Sequence, residues 1–386
     1  MSRHGRVLVA MSGGVDSSVT AALLHEEGYD VVGVTMKTWD HASSGTSGRQ
    51  SGCCSLDDIH DARAVATALG VPHAVVDIRP EFGQHVIDRF QADYLRGRTP
   101  NPCVLCNTHI KWDALLRRAD ALGCEWIATG HYARVRQEGG RHVVSRGLDR
   151  TKDQSYVLWG VAQEHLARSR FPVGGFAKSE IRRLAADLGY ARVAGKKDSY
   201  EICFVPDDDY RAFLRHREPG LDARVAGGAM LDWETGETVG THQGAPFYTV
   251  GQRRGLGLES VRRYAGTPVY VVAIDAAANT VTVGPRRALG GRALSADGVV
   301  WGAADGLAEE RGVIAQVRSH DLGGAAVARQ TAPDAFEVVF EAPRDALTPG
   351  QAVVLYDGDD VLAGGWIDAT AAAPADDAFI ALPTLA

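Results

Sequence analysis

The sequence has no apolar run approaching the ~20 residues that a bilayer-spanning helix needs; its longest, such as Val269 to Ile274, fall far short. It has no recognisable export signal. Basic residues precede Val7-Leu8-Val9-Ala10-Met11, but Ser12-Gly13-Gly14 and Asp16 end that run too early for one. We therefore expect a cytoplasmic protein with no membrane partner. Internal repeats and low-complexity tracts are missing, and 45% hydrophobic with 23% charged residues is ordinary, which excludes wholesale disorder, collagen and disulfide mini-proteins. A positive balance is missing too: 41 Lys/Arg against 48 Asp/Glu leaves −7, which argues against indiscriminate nucleic-acid binding. Six cysteines (Cys53, Cys54, Cys103, Cys106, Cys124, Cys203) are too few for a disulfide framework in 386 residues and become candidates for metal, redox or sulfur chemistry.

The length gives a prior of two or three domains at ~150 residues each. The first ~205 residues alternate strand-like and helix-like stretches. Arg6 to Met11, Tyr29 to Met36, Ala74 to Asp77 and Trp126 to Thr129 read as strands; Ser17 to Glu27, Asp57 to Leu69 and Ile110 to Leu122 read as helices. Such alternation predicts a doubly wound parallel sheet with ligands at the carboxyl ends of its strands. Residues 41–52 read as a loop. After Pro219-Gly220 helical periodicity gives way to short strands: Pro268 to Ile274, Thr280 to Val283, Gly312 to Arg318, Ala335 to Phe340, Ala352 to Tyr356 and Val361 to Ile367. We expect an α/β domain over 1–210, a small mainly-β middle domain over 211–288 and a β-barrel-like domain over 289–386, with Ala369 to Ala378 as a surface segment. Trp233, Trp301 and Trp366 are expected in the β cores. Charge is uneven: residues 89–152 hold 12 Lys/Arg against 6 Asp/Glu, and residues 290–386 hold 5 against 15. The basic zone is either a solvated face or a guide for a polyanion.

The strongest local signal is Ser12-Gly13-Gly14-Val15-Asp16-Ser17-Ser18 between a strand and a helix. Glycines let the backbone approach a phosphate, hydroxyls and amides donate to it, and the helix amino terminus favours its charge. The lysine of the G-x-x-x-x-G-K-[ST] loop is absent. The segment resembles instead the pyrophosphate loop of the ATP-pyrophosphatases, which cleave ATP between its α and β phosphates. Cys106, in Thr99-Pro100-Asn101-Pro102-Cys103-Val104-Leu105-Cys106-Asn107 with Lys111 beyond, and Cys203, after Lys196-Lys197-Asp198-Ser199, lie beside basic residues that favour a reactive thiolate. Cys124, on an apolar stretch, reads as an inert core residue.

Taken in order, SGGVDSS, GVTMKTWD, CCSLDDIHDAR, GRTPNPCVLCN, ATGHYAR, KDQSY, KKDSYEICF, YTVGQRRGLG and PGQAVVLYDGD resemble the tRNA-specific 2-thiouridylases from Met11 to Asp359. The resemblance implies ATP-dependent exchange of oxygen for sulfur at carbon 2 of the wobble uridine (position 34) in tRNAs for Lys, Glu and Gln. It implies ATP contacts at Ala10, Met11, Ser12, Gly13, Gly14, Val15, Asp16, Ser17, Met36 and Gly130. Cys203 would carry a persulfide and Cys106 would be the nucleophile opposite it, with a Cys106–Cys203 disulfide as product. Asn101, Pro102 and Cys103 would line the target base. His131, Lys152, Asp153, Gln154, Arg318, Ser319 and Gln351 would meet the tRNA. Mg²⁺ is expected with the ATP, and a cysteine desulfurase or sulfur relay protein as donor. The uridine must leave its stack, which costs least in a single-stranded loop.

Three positions depart from the family pattern. Cys103 stands where many members have aspartate, so Cys103, Cys106 and Cys203 could hold an iron–sulfur cluster as an alternative, less favoured, route for sulfur. Ser319 stands where an aromatic is expected, and Trp366 where a third glycine is common. The acidic balance of residues 290–386 assigns most tRNA affinity to the amino-terminal and middle regions. Two rival readings remain: an ATP-dependent amide ligase of the same loop family, which needs neither cysteine, and a tRNA-binding module without catalysis.

Overall fold

The computed structural model describes residues 2–39, 55–196, 202–258, 264 and 266–372. Cys53, Cys54, the expected 41–52 loop, Lys197-Asp198-Ser199 and all but the first four residues of the Ala-rich tail lie outside them. The chain forms two compact units. The first comprises residues 1–87, 102–213 and 359–362; the second comprises 88–101, 214–358 and 363–386.

The first unit holds strands β1 (Arg6–Ala10), β2 (Asp30–Lys37), β3 (His73–Asp77) and β4 (Trp126–Ala128), the hairpin β5 (Ala133–Glu138) and β6 (Arg141–Arg146), and β7 (Ser169–Arg170). Its parallel sheet runs β3-β2-β1-β4-β7. Val7, Leu8 and Val9 on β1 are fully buried, as expected of a central strand covered on both faces. Helices α1 (Val15–Glu27) and α2 (Leu56–Leu69) end at Gly28 and Gly70, both in the left-handed conformation that closes a helix without a Cβ penalty. Ser55 caps α2 by accepting from the Asp58 amide at 3.1 Å. Strand order reverses between β1 and β4, which places a topological switch point where the chain leaves β1 at Met11 and β4 at Thr129.

The second unit contains β8 (Gly228–Asp232), β9 (Thr238–His242), β10 (Tyr270–Asp275) and β11 (Thr280–Gly284) in the order β10-β11-β8-β9. It also contains a closed barrel of β12 (Gly290–Trp301), β13 (Arg311–Gln316), β14 (Gly324–Ala332), β15 (Ala335–Asp345), β16 (Ala352–Asp357) and β17 (Asp360–Ala372), sealed by β12 against β17, the first three residues of β17 counting with the first unit. An α/β domain followed by two small β domains is therefore the fold. Closure removes the exposed strand edges that a short sheet would carry. One tryptophan departs from expectation: Trp233 is 42% exposed beneath the Arg287 guanidinium rather than in a core, while Trp301 and Trp366 are half-buried. Segment 88–101 joins this unit by contacts that periodicity cannot signal. Arg98 pairs with Asp368 at 3.0 Å, and the Thr99 amide donates to the Pro349 carbonyl at 2.9 Å.

Candidate functional site

The turn after β1 is held from both sides. The Met11 amide donates to the Val34 carbonyl at 2.8 Å, and Thr35 donates its hydroxyl to the Met11 carbonyl at 2.7 Å, locking the loop to β2. Ser17 accepts from the Ser12 amide at 3.1 Å and donates to the Gly14 carbonyl at 3.2 Å; Ser18 donates to the same carbonyl at 2.9 Å. Gly13 has φ +73°, and a Cβ there would lie 2.2 Å from the Asp58 carbonyl oxygen. Gly14 begins α1 without a side-chain cap, so the first-turn amides face the loop. Across the switch point, Gly130 approaches so closely that a Cβ would lie 2.8 Å from the Ser17 nitrogen. Gly130 thus packs directly against the loop at Asp16 and Ser17, and half-buried Met36 lies near the end of neighbouring β2.

Two lysines reach this loop from distant sequence. Lys178, first residue of the helix Lys178–Asp187, has a side chain only 11% exposed and places Nζ 2.8 and 2.7 Å from the two Asp16 carboxylate oxygens. Tyr132 donates its hydroxyl to Asp16 Oδ1 at 2.8 Å. Lys196 Nζ lies 3.0 Å from the Gly13 carbonyl oxygen, 2.7 Å from Asp58 Oδ1 and 2.5 Å from Asp61 Oδ2. Partial burial works against its charge, yet Asp58 and Asp61 hold its pKa above the ordinary lysine value. Lys196 therefore serves the loop and α2, where proximity in sequence had suggested Cys203.

Pro102–Leu105 forms one helical turn, Cys106–Lys111 a π-helix, and Trp112–Ala121 a regular helix. Such wide turns are rare and concentrate at functional sites. A second π-helix, Gly83–Ile87, packs against the first, with His85 and His109 stacked at 5.7 Å. Cys203 precedes the fully buried Phe204, whose ring packs on Phe82 at 5.6 Å, immediately before that second π-helix. The block 79–87 thus packs against both cysteine-bearing segments. Cys103, Cys106, Cys124 and Cys203 are free thiols, with Cys124 buried as expected. Cys103 is solvent-accessible yet ringed by protein; desolvation pushes its thiol pKa up and the Lys111 ammonium pulls it back. Among the described residues no group of three or more His, Cys, Asp or Glu is placed to hold a metal ion, so those three cysteines do not form a cluster cradle there.

His131 is 6% exposed, between Trp112 at 5.9 Å and Phe171 at 6.1 Å. Its Nδ1 is 2.6 Å from Thr129 Oγ1 and its Nε2 is 3.4 Å from Lys111 Nζ. Burial, then the lysine charge, depress its pKa well below the ordinary imidazole value, so Nε2 accepts from Lys111. It faces the interior, which makes it a support for Lys111 rather than a surface for RNA. Asp153 accepts from the Gly147 amide at 2.9 Å and the Ser155 hydroxyl at 2.9 Å; the exposed Gln154 accepts from the Tyr132 amide at 3.0 Å. Lys152, half-buried, precedes them. Much of the basic zone is engaged within its own unit. Arg136 meets Asp360 at 2.8 and 2.6 Å, Arg134 meets Asp359 at 3.0 Å, and Arg150 also pairs with Asp359.

In the second unit, Gln351 donates to the Thr99 and Pro100 carbonyls at 3.2 and 3.0 Å and so fixes the approach to Asn101. Arg318 and Ser319 are exposed; Arg318 donates to the Ala346 carbonyl at 3.2 Å and also to that of Asp345. Sequence reasoning assigned no role to Lys178 or Tyr132. Tyr132 lies inside a motif it quoted, whereas Lys178 carries no local signal.

Family models described as "tRNA methyl transferase HUP domain", "tRNA methyl transferase PRC-barrel domain" and "Aminomethyltransferase beta-barrel domain" match residues 5–207, 221–285 and 292–367. The chain is 57% identical over 370 residues to a protein of Salinibacter ruber named tRNA-specific 2-thiouridylase MnmA, covering 95% of each. Proteins of the same name from Cytophaga hutchinsonii and Amoebophilus asiaticus are 52% and 54% identical, covering 95% and 97% of this chain and 98% of theirs.

Proposed function

The chain belongs to the tRNA-specific 2-thiouridylase family, and from that premise we infer how its own residues carry out ATP-dependent sulfur transfer to a tRNA uridine. The observation that carries the inference is the switch point itself, where the loop after β1 meets Gly130 after β4, with both cysteine segments in the same unit.

The ATP phosphates lie on the loop Ala10 to Ser17, against the uncapped start of α1, with Met36 and Gly130 framing the adenosine. The uridine carbonyl oxygen attacks the α phosphorus and pyrophosphate leaves, which converts a poor leaving group into AMP. Mg²⁺ carried on the phosphates would offset charge on that leaving group. The terminal sulfur of a persulfide on Cys203 then bonds to carbon 2 and AMP departs with the original oxygen. Cys106 attacks the Cys203 sulfur, the sulfur–sulfur bond breaks toward the base to leave 2-thiouridine, and the Cys106–Cys203 disulfide is returned to two thiols by an external dithiol. Asn101, Pro102 and Cys103 border the base, with Gln351 fixing the backbone that leads to it. Lys152, Asp153, Gln154, Arg318 and Ser319 position the tRNA, His131 acting through Lys111. The substrates are the Lys, Glu and Gln isoacceptors at position 34, the donor is a cysteine desulfurase or relay protein, and the site of action is the cytoplasm. Among the described residues no helix is long and apolar enough to cross a membrane. The division at 1–210, 211–288 and 289–386 is supported by the three matched segments.

The test is thiolation of unmodified tRNA with ATP, a cysteine desulfurase plus free cysteine as the persulfide source and a dithiol as reductant, on protein purified with and without air and assayed for iron. We expect AMP and 2-thiouridine from the wild type and loss of thiouridine in both Cys106→Ser and Cys203→Ser. Activity that follows bound iron and dies in Cys103→Ser would move the sulfur to a cluster. Full activity in Cys106→Ser would favour amide ligation.

A further inference from the structure

The free thiols of the described residues stand in three settings: Cys103 is exposed, Cys106 and Cys203 are half-buried, and Cys124 is buried. Sulfur transfer through Cys203 and Cys106 leaves a disulfide between the two less accessible partners and gives the exposed thiol no bond to make. Yet Cys103 is built into the same run of chain as Cys106. The two stand three residues apart where the single turn Pro102–Leu105 passes into the π-helix Cys106–Lys111. Side chains three apart on a helix share a face, with Cβ atoms about 5–6 Å from each other, and a disulfide needs about 3.5–4.5 Å. A movement of roughly 1–2 Å at the amino-terminal end of this helical run therefore joins them, and helix ends give way more readily than middles.

The surroundings of Cys103 suit a thiol that acts second. Desolvation raises its pKa, so it stays largely protonated and does not compete with Cys106 for the persulfide. The Lys111 ammonium, at the far end of the π-helix, opposes that rise and supports the thiolate when it forms. Exposure adds the other half of the role, since exchange with a dithiol in solution depends on which sulfur can be reached.

We propose that Cys103 resolves the disulfide left by sulfur transfer. Its thiolate attacks the Cys106 sulfur, a Cys103–Cys106 bond forms, the Cys106–Cys203 bond breaks, and Cys203 leaves as a thiolate ready for the next persulfide. This exchange moves the disulfide without net oxidation. An external dithiol then attacks the Cys103 sulfur, Cys106 leaves as a thiolate and takes up a proton, and closure of the dithiol into its own disulfide frees Cys103; the protein gains the two electrons that the dithiol loses. Reloading of Cys203 is thereby separated from reduction, which takes place at the exposed end of the pair. The proposal rests on the persulfide reading given above.

The test is a single turnover without reductant. Wild type and Cys103→Ser are loaded with persulfide by a cysteine desulfurase and free cysteine, cleared of both, given ATP, Mg²⁺ and unmodified tRNA, then quenched with acid and N-ethylmaleimide and mapped by peptide mass spectrometry. Most of the wild-type disulfide should join Cys103 to Cys106, with Cys203 alkylated, whereas Cys103→Ser should retain Cys106–Cys203. Dithiothreitol should restore free thiols in wild type roughly tenfold faster than in Cys103→Ser. A wild-type disulfide that stays mainly between Cys106 and Cys203, or passes to Cys53, Cys54 or Cys124, would overturn the proposal, as would equal rates of reduction in the two proteins. Thiouridine formed with no disulfide anywhere, or no thiouridine from loaded wild type, would instead overturn the persulfide reading. The wild-type map requires no substitution, so it decides even if Cys103→Ser does not fold.

Discussion

His131 is a neutral imidazole near pH 7, because burial between two aromatic rings and the adjacent Lys111 ammonium both oppose a second proton. An unfolded chain would bind that proton below about pH 6.5 while the folded one would not, so the folded state loses stability as pH falls through that region. The expected cost from this one group is at most ~1.4 kcal/mol per pH unit, shown by urea unfolding of wild type and His131→Asn between pH 7.5 and 5.5. The variant should show the shallower decline; equal slopes would contradict the neutral assignment. Burial depresses His73 and His242 in the same direction, but both proteins retain them. Residues such as Cys106, Gly13 and Asp16 were legible because their chemistry is written in a few consecutive letters. Lys178 was not, since its partner lies 162 positions away and nothing in Phe176-Ala177-Lys178-Ser179 marks it.

Elements with a clean period were readable to within about two residues. β1, α1 and α2 fall almost where apolar spacing puts them, because each buries one strip or both faces of a regular backbone. The π-helix Cys106–Lys111 was missed, since a wider turn shifts the periodicity and the regular pattern resumes only at Trp112. The hairpin β5–β6 was missed for another reason: Arg134, Arg136, Arg141 and Arg146 give it a polar texture that ion pairs, not apolar burial, make tolerable. Backbone geometry in the loop gives a sharper expectation. Gly13→Ala forces a side chain into positive φ and onto the Asp58 carbonyl, and should lower tRNA-dependent AMP release by roughly a hundredfold. Gly14→Ala meets only Ser12 Oγ, at 3.4 Å, and should be much milder. Similar losses in both would mean that the close approach to α2 does not set the loop.

For the molecule as a whole, net charge misleads more than it informs. Residues 89–152 are strongly basic by count, but Arg134, Arg136 and Arg150 spend much of their field on Asp359 and Asp360, two carboxylates counted in the acidic tail. Counting by segment could not show this, because the pairing joins residues more than 200 positions apart. Asp359→Ala/Asp360→Ala should strengthen binding of unstructured RNA and steepen its dependence on salt by about two units in the log–log slope, near 0.7 per phosphate on a single strand. An unchanged slope, read by fluorescence anisotropy from 50 to 300 mM salt, would show that these arginines do not face solvent when released.

Those same two aspartates also set a timetable. The α/β unit is not finished when residue 213 leaves the ribosome, because 359–362 belong to it and Ser145 on β6 pairs with Asp360. Domains usually fold in the order they are synthesised, and closing so long an excursion is slow. Here the hairpin β5–β6 must wait for Asp359 and Asp360, keeping meanwhile the pairs Arg136–Glu138 and Arg146–Asp153, until almost the entire chain has emerged. A polypeptide broken off anywhere in the barrel would thus leave an unfinished unit at the opposite end.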